Sequence, residues 1–321
     1  MFAVVIEGGK LAWRERPDPV PGDDELLVAV RAAGVNRADL AQAKGQYPAP
    51  PGYPQDIPGL ELAGEVLSVG SRVTRYAPGD RIMALVGGGA QATLATVPEG
   101  HALPVPPRLS WAEAGGFPEV FFTAFDALFP QAGLALGERV LVTGANGGVG
   151  TAAVQLAAAL GHKVVALSRS LEKSRRLEQL GAAATFNPED PRWNLTLKNT
   201  LAPRRVDLAI DNVGGKLLPQ VIDTLGDLGR VSVVGRLAGP VPSFNTAMLF
   251  FRRIRLGGVA VGAWTNAESR AAWREVLSLL SRSGARPQVD QIFPFEQLPQ
   301  AFQRLAQGPM GKVLLAVRSA G

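Results

Sequence analysis

The sequence has no cysteine and only two histidines, His101 and His162. The absence of cysteine excludes disulfides, a thiolate nucleophile and zinc sites ligated by sulfur. A zinc ion would need both histidines together with carboxylates, so we predict no metal site. Long apolar runs are also missing, since none approaches the roughly 18 residues of a membrane span. Residues 1–7 lack the basic flank and the apolar length of a signal peptide, which favours a cytoplasmic protein without a membrane contact.

Charge is sparse and of mixed sign. Charged residues make up 19% of the 321 residues and hydrophobic residues 46%, a balance that excludes a disordered chain. The length is typical of two domains. The net charge of +5 comes from scattered basic residues, and their densest cluster is Arg252, Arg253 and Arg255. Because no helix carries a basic stripe, we interpret this cluster as a solvated face or an oligomer contact, and nucleic acid is not favoured as a partner.

The first 118 residues have the pattern of strands and loops. Short aliphatic runs are bounded by turn residues, as in a β-rich domain. Prolines at positions 48, 50, 51, 54 and 58 interrupt any regular element between two of these runs. A loop of this length inside a compact domain is usually functional. The predicted strands cover residues 2–6, 26–30, 59–69 and 81–86.

From residue 119 onward, short apolar runs alternate with amphipathic segments. Val149, Ala153, Leu156 and Leu160 recur at helical spacing and predict one apolar helix face. Strands that alternate with helices favour an α/β fold with a parallel, doubly wound sheet, whose ligand crevice lies at the C-terminal ends of the strands. The predicted strands of this sheet cover 140–143, 163–167, 184–186, 206–211 and 230–234, and its predicted helices 171–180 and 217–225. The last 60 residues or so return to a mixed pattern, with predicted helices at 271–283 and 298–307 and a predicted strand at 312–317. The predicted segments are a β-rich domain (1–118), a nucleotide-binding domain (119–264) and a return to the first domain (265–321).

A glycine-rich turn, residues 143–150, joins the first strand of this sheet to a helix. Glycine lets the backbone turn sharply and approach a pyrophosphate, and Gly150 lets the helix pack closely on the sheet. The N-terminus of the helix presents unpaired N–H groups and a partial positive charge to an anion. The position of the turn between strand and helix therefore predicts a dinucleotide site.

The residues after the second strand of the sheet select the cofactor. An NAD site would place Asp or Glu there for the ribose hydroxyls. The chain instead has Ser168, Arg169 and Ser170, followed by Lys173, and these groups would accept a 2′-phosphate. NADP(H) is therefore the predicted cofactor, although Glu172 weakens the preference. The alternative is an ordinary helix N-cap, at Ser168 or Ser170, beside solvated basic residues.

The ends of two further strands should line the same crevice. Asn212 and Val213 follow the fourth strand, and Val234 and Gly235 follow the fifth, so all four are candidates for cofactor contact. Asp211 is predicted to be structural instead, because its carboxylate would satisfy N–H groups of the loop that follows it.

Several stretches carry a family resemblance across nearly the whole chain. They are Asn36-Arg37-Ala38-Asp39-Leu40 with Gly45-Gln46-Tyr47, Pro58-Gly59-Leu60-Glu61, Gly87-Gly88-Gly89-Ala90-Gln91, Phe117-Pro118-Glu119 and Gly311-Lys312-Val313-Leu314. Together with the glycine-rich turn, they resemble the zinc-free quinone oxidoreductase branch of the medium-chain dehydrogenase/reductase superfamily. The likeness is greatest to its tumour-suppressor-inducible quinone oxidoreductase subgroup. The resemblance implies a Rossmann domain inserted into a GroES-like β-rich domain.

The resemblance also implies a site without zinc. Zinc-using members of the superfamily carry cysteine where this chain has Asn36, histidine where it has Leu60, and a third ligand close to Glu119. Asn36 and Tyr47 would instead face the nicotinamide and the substrate. Proline at position 188 replaces a tyrosine common in relatives, which removes one hydroxyl from the expected 2′-phosphate site. The residues implied to bind the cofactor are Thr123, Asn146, Gly147, Gly148, Val149, Ser168, Arg169, Lys173, Asn187 and Lys312.

The predicted function is the transfer of a hydride, or of single electrons, from NADPH to a quinone, with Asn36 and Tyr47 as hydrogen-bond donors. One alternative is an alkenal or enoyl reductase that reduces an activated C=C bond of an enone. Another is a non-catalytic NADPH- or RNA-binding protein similar to the crystallin of this family. Residues 256–261 are predicted to form an apolar edge strand, which favours a homodimer.

Overall fold

The computed structural model describes residues 1–240 and 243–316, so Val317, the last residue of one predicted strand, lies outside it. The described chain divides into two compact units. The first unit contains Met1–Val120, Gly262–Glu275 and residues from Arg286 onward, and the second contains Phe121–Val261 and Val276–Ala285. The boundaries that the sequence predicts, after residues 118 and 264, stay predictions.

Strands and helices are numbered in chain order. Up to residue 115 they are β1 Phe2–Glu7, β2 Lys10–Glu15, β3 Glu25–Val35, α1 Arg37–Ala43, β4 Glu61–Val69, β5 Arg81–Leu85, β6 Leu94–Pro98, β7 Ala102–Pro104 and α2 Trp111–Gly115. From there to residue 258 they are α3 Pro118–Leu128, β8 Arg139–Val142, α4 Gly148–Ala159, β9 Lys163–Leu167, α5 Leu171–Gln179, β10 Ala184–Phe186, α6 Trp193–Leu201, β11 Val206–Asp211, α7 Leu217–Thr224, β12 Leu225–Val233, α8 Ala247–Phe250 and β13 Arg255–Gly258. The remaining ones are α9 Asn266–Ser283, β14 Val289–Pro294, α10 Leu298–Ala306 and β15 Lys312–Ala316.

The first unit is built on a seven-stranded sheet and a separate two-stranded sheet, β1–β2. The strands of the larger sheet lie in the order β14-β15-β3-β4-β5-β7, and β6 pairs with β3. In β3, Leu26, Val28 and Val30 are buried on alternate positions, the pattern of a strand with one face in the core. Phe295 and Leu315, from the far end of the chain, belong to the same buried cluster. The β-rich core is therefore assembled from both ends of the described chain.

The second unit contains a six-stranded parallel sheet in the order β10-β9-β8-β11-β12-β13. Counted within the unit, this order is 3-2-1-4-5-6, the order of doubly wound dinucleotide-binding domains. Every predicted strand of this sheet is present. The predicted α/β fold, with a parallel doubly wound sheet and a separate β-rich sheet, is confirmed.

Some elements differ from the prediction. The strand predicted at 256–261 is β13, at residues 255–258, and Val261 lies in a 3-10 turn instead. The elements that were not predicted from the sequence are β2, β6, β7, β14, α1, α2, α3, α6 and α8. The proline-rich segment from Pro48 to Pro58 contains neither helix nor strand, as predicted. The strand predicted at 59–69 begins two residues later, at Glu61.

Candidate active site

The glycine-rich turn lies between β8 and α4 in the second unit. Gly144 has a φ of +56°, which favours glycine. A Cβ on Gly150 would lie 2.5 Å from the carbonyl oxygen of Gly144, so only glycine fits at that position. Gly147 is the N-cap of α4 and offers no side chain to the first N–H groups of the helix. These features fit a pyrophosphate held by the backbone of Asn146 to Val149, all of which are partly exposed.

The end of β11 is tied to the glycine-rich turn by side chains. The hydroxyl of Thr143 donates to Oδ1 of Asp211 at 2.7 Å, and the backbone N–H groups of Val213 and Gly214 donate to the same carboxylate. Asn212 donates from Nδ2 to the carbonyl oxygen of Thr143 at 2.8 Å. The predicted structural role of Asp211 is therefore confirmed.

The loops after β11 and β12 also meet. The N–H groups of Val234 and Gly235 donate to the carbonyl oxygen of Asp211 at 2.9 and 3.2 Å. A Cβ on Gly235 would lie 2.9 Å from the carbonyl oxygen of Asn212. The four candidates of these loops, Asn212, Val213, Val234 and Gly235, are thus brought to one edge of the sheet. Thr123 lies on α3 and is buried.

The residues predicted to hold a 2′-phosphate gather after β9. The hydroxyl of Ser168 donates to the carbonyl oxygen of Ser170, and Ser170 caps α5 by accepting from the N–H of Lys173. Arg169 is exposed and lies 3.6 Å from the carboxylate of Glu189. An exposed pair of this kind contributes little to stability, so the guanidinium can turn to another anion. The alternative interpretation as a helix N-cap is therefore correct for Ser170. The basic residues Arg169 and Lys173 lie in the same segment, at the end of β9.

Asn187 follows β10, the neighbour of β9. Its Oδ1 accepts from the N–H of Glu189 at 3.0 Å, and the side chain is exposed. It therefore lies at the same end of the sheet as Ser168.

In the first unit, Asn36 and Lys312 belong to one buried polar cluster. Nζ of Lys312 lies 2.6 Å from Oδ1 of Asn36 and 2.6 Å from Oε1 of Glu61. Nδ2 of Asn36 donates to the same Oε1 at 3.0 Å. The other carboxylate oxygen, Oε2, accepts the backbone N–H of Glu119 at 2.9 Å. Lys312 is 3% exposed, and its ammonium already donates to two side chains. The predicted contact of Lys312 with the cofactor stays a prediction.

A second buried carboxylate, Asp39, lies beside this cluster at the start of α1. Its Oδ2 accepts from the N–H of Asn36 at 2.8 Å and from Nε2 of Gln91 at 2.7 Å. Within the described part of the chain, neither Oδ1 of Asp39 nor Oε1 of Gln91 has a hydrogen-bond partner. Burial raises the pKa of Asp39 to about 7, against the opposing effect of the hydrogen bond from Asn36.

Tyr47 lies in the loop that follows α1. Its side chain is 44% exposed, and its hydroxyl lies 3.6 Å from the place of a Cβ on Gly262. Burial and the charges of Glu119 and Asp39 raise the pKa of Tyr47. The phenol therefore keeps its proton at neutral pH and is available as a donor.

Sequence reasoning missed Glu61, Asp39 and Gln91. All three lie in the quoted family stretches, but the position of a polar residue in such a stretch does not reveal which residue its side chain contacts. Among residues 1–240 and 243–316, no three carboxylates or histidines are grouped as a metal site requires. The helices in these ranges also lack the combined length and apolarity of a membrane span.

Known proteins resemble the chain in both sequence and structure. The model of the alcohol dehydrogenase GroES-like domain matches residues 22–107, and that of the zinc-binding dehydrogenase matches residues 148–282. A quinone oxidoreductase of Sus scrofa is 31% identical over 302 residues, which cover 92% of this chain and 90% of that protein.

Two solved structures extend the comparison. A mycobacterial protein complexed with NADPH superposes with a TM-score of 0.89 at 26% identity, covering 98% of this chain and 100% of its own. The human synaptic vesicle membrane protein VAT-1 homolog-like protein gives 0.86 at 28%, covering 100% and 99%. The second unit accordingly has the pyridine-nucleotide-binding fold of these oxidoreductases. The chain belongs to the medium-chain dehydrogenase/reductase superfamily, in its zinc-free quinone oxidoreductase branch.

Proposed function

We propose that the chain reduces quinones with NADPH and uses amide and hydroxyl donors where zinc-dependent relatives use a metal. NADPH, when bound, supplies a hydride from C4 of its nicotinamide. The observation that carries this proposal is the buried Asn36 amide, which is held by Lys312 and Glu61 at a position where zinc-using relatives carry a ligand. The name of the Sus scrofa relative, quinone oxidoreductase, supports the same substrate class.

Asn36 and Tyr47 act on the acceptor in this proposal. Negative charge develops on a quinone oxygen as the hydride arrives, and a fixed N–H or O–H donor stabilises that charge. Asn36 donates from its amide, and Tyr47 donates from a phenol whose pKa is raised. A quinone carbonyl takes up charge readily, so two neutral donors suffice without a Lewis acid.

The second unit binds the cofactor in this proposal. Ser168, Arg169 and Lys173 would hold the 2′-phosphate of the cofactor, and these hydroxyl and cationic groups favour NADPH over NADH. The complex of the mycobacterial relative with NADPH supports this preference. The remaining proposed contacts are those of Thr123, Asn146, Gly147, Gly148, Val149, Asn187, Asn212, Val213, Val234, Gly235 and, in the first unit, Lys312.

The cofactor preference is tested by removing both cations. In Arg169→Ala/Lys173→Ala, the Kd for NADPH should rise at least about tenfold, because charge-assisted hydrogen bonds to the phosphate are lost. The Kd for NADH should not change, since NADH has no such phosphate. Arg175→Ala, an exposed arginine on the same helix, is the matched control and should change neither Kd. An equal loss for both nucleotides would contradict the assignment.

The substrate and the donors are tested by NADPH oxidation. We expect turnover with 9,10-phenanthrenequinone and little with a 2-alkenal, and the reverse order would favour the C=C reductase. In Tyr47→Phe, kcat for the quinone should fall about tenfold with the KM for NADPH unchanged. Tyr76→Phe is the control, because Tyr76 donates to the carbonyl oxygen of Ala102. Wild-type turnover by Tyr47→Phe would remove Tyr47 from the reaction.

A homodimer belongs to the same proposal. Within the described part of the chain, β13 pairs with β12 alone and is the last strand of its sheet, and Leu256 is 41% exposed. An uncovered edge of this kind favours pairing with a second copy. Light scattering after size exclusion should give a dimer for the wild type and a monomer for Leu256→Asp. A monomeric wild type would refute the dimer.

A further inference from the structure

We infer that the buried ion pair of Glu61 and Lys312 fixes which end of the Asn36 amide faces the substrate, which makes both of them positioning residues for the reaction. The inference rests on the proposed function, since it concerns the donor that acts on the quinone. Neither residue needs to touch the acceptor, because both act through Asn36.

The two hydrogen bonds of the Asn36 side chain, to Lys312 and to Glu61, permit only one orientation of its amide. An ammonium only donates hydrogen bonds, and a carboxylate only accepts them. Oδ1 of Asn36 lies 2.6 Å from Nζ of Lys312, and Nδ2 lies 3.0 Å from Oε1 of Glu61. A flipped amide would place N–H groups against the ammonium and oxygen against the carboxylate. Two charge-assisted hydrogen bonds would be lost, so the flipped form should be disfavoured by at least on the order of a hundredfold.

The selected orientation leaves an N–H of Asn36 for a ligand. Nδ2 carries two hydrogens, and one of them is used on Glu61. An amide in the other orientation would present an oxygen, which would repel the negative charge that develops on a quinone. The orientation therefore decides whether Asn36 helps or hinders the reaction.

The ion pair itself is held in place from several sides. Glu61 is fully buried, and its second oxygen accepts the N–H of Glu119. A Cβ on Gly34 would lie 2.1 Å from Oε1 of Glu61, so the carboxylate fills space that only glycine leaves free. Lys312 makes a further, longer contact of 3.4 Å with the carbonyl oxygen of Val35.

The pair is better explained by positioning than by stability. Burying two charges costs about as much desolvation free energy as their attraction returns, and apolar replacements are often no less stable. The pair is also neutral overall, so it adds no net charge beside Asn36. What it supplies is a donor on one side of Asn36 and an acceptor on the other.

The test is a double-mutant cycle between the pair and Asn36. Glu61→Gln/Lys312→Met removes both charges together, so that neither is left buried alone. We expect kcat for the quinone, measured at saturating NADPH, to fall roughly 10-fold to 100-fold. Asn36→Ala should lose a similar factor, and the combined variant should be no slower than Asn36→Ala. A combined variant that is slower by the product of both factors, or a double variant with wild-type kcat, would overturn the inference.

Two further variants guard against loss of the fold. Asp290→Asn/Arg304→Met removes another ion pair of the first unit, at 2.6 Å, and should leave kcat unchanged. If the double variant lacks the wild-type circular dichroism spectrum, Glu61→Gln alone carries the test, because its amide fills the same space. It should lose at least tenfold in kcat, and wild-type turnover would overturn the inference.

A readout without turnover separates this inference from the proposed function. With ¹⁵N-asparagine labelling, the Asn36 side-chain signal is assigned by its loss in Asn36→Ala. The proton that is donated to Glu61 should exchange slowly with solvent in the wild type and at least tenfold faster in Glu61→Gln/Lys312→Met. Equal exchange in both proteins would refute the positioning role. A wild type that shows this protected proton but reduces no quinone would refute the proposed function alone.

Discussion

Asp39 provides a prediction that tests the electrostatics of the first unit directly. Its carboxylate is fully buried and accepts two hydrogen bonds on Oδ2, while Oδ1 has no partner. Burial raises its pKa from 3.8 to about 7. In Asp39→Asn, the amide keeps an acceptor for the N–H of Asn36 and carries no charge at any pH.

The sign of the effect follows from proton binding. Between pH 3.8 and about 7, the folded protein holds the Asp39 proton and the unfolded chain does not. The free energy of unfolding should therefore fall as the pH rises through this window, by about 1.4 kcal/mol per pH unit from this group. Asp39→Asn lacks this contribution. The variant should gain stability relative to the wild type by about 3 kcal/mol between pH 5 and pH 8.

Urea unfolding at several pH values, followed by tryptophan fluorescence, measures the difference in the free energy of unfolding between Asp39→Asn and the wild type. Four of the five tryptophans lie in the first unit, which holds Asp39. Asp24→Asn is the control, because Asp24 is exposed and a hydrogen bond from Arg72 lowers its pKa. The free energy of unfolding of Asp24→Asn should differ from that of the wild type by the same amount at pH 5 and at pH 8. If the difference between Asp39→Asn and the wild type is equally independent of pH, the raised pKa of Asp39 is refuted.

Two further substitutions test packing at the candidate site. Gly34→Ala should lower the free energy of unfolding by about 3 kcal/mol in urea titrations, because its Cβ would collide with the carboxylate of Glu61. Gly258→Ala is the control: a Cβ there meets open space, and the free energy of unfolding should change by less than about 0.5 kcal/mol. Thr143→Val should cost about 2 kcal/mol and raise the Kd for NADPH, since Asp211 loses a donor and the loop after β11 is released; an unchanged Kd would show that this link does not shape the nucleotide site.

Much of the second unit could be predicted because its signals are local. A buried parallel strand is a short apolar run. The turn at residues 143–150 has glycine at position 150, where a side chain would collide with the backbone of Gly144 and Ala145. The structural role of Asp211 was also predictable, since its partners are within three residues or on the adjoining strand. Helix α6 was missed although its buried residues Trp193, Leu197 and Leu201 recur at steps of four, because nine residues give only two such steps and the exposed Leu195 interrupts the pattern.

The candidate site of the first unit was only partly predictable. Asn36 and Lys312 were chosen as separate residues, but they are 276 positions apart and their contact depends on the pairing of β15 with β3. No local pattern specifies that pairing. For the same reason the role of Glu61 could not be inferred: its acidity is visible in the sequence, whereas its burial and its ammonium partner exist only after the strands have assembled. Short α1 was missed because seven residues give too few helical turns for a period.

The first unit draws its core from both ends of the described chain, and this has a consequence during synthesis. Strand β3 emerges from the ribosome well over two hundred residues before Leu315, with which it shares one buried cluster. The whole of the second unit is translated in between, and the strands of its sheet follow one another in sequence. Until Leu315 has been synthesised, the apolar face of β3 lacks part of the cluster that covers it in the folded protein. The nascent chain is therefore expected to need chaperones at that stage more than at any later one.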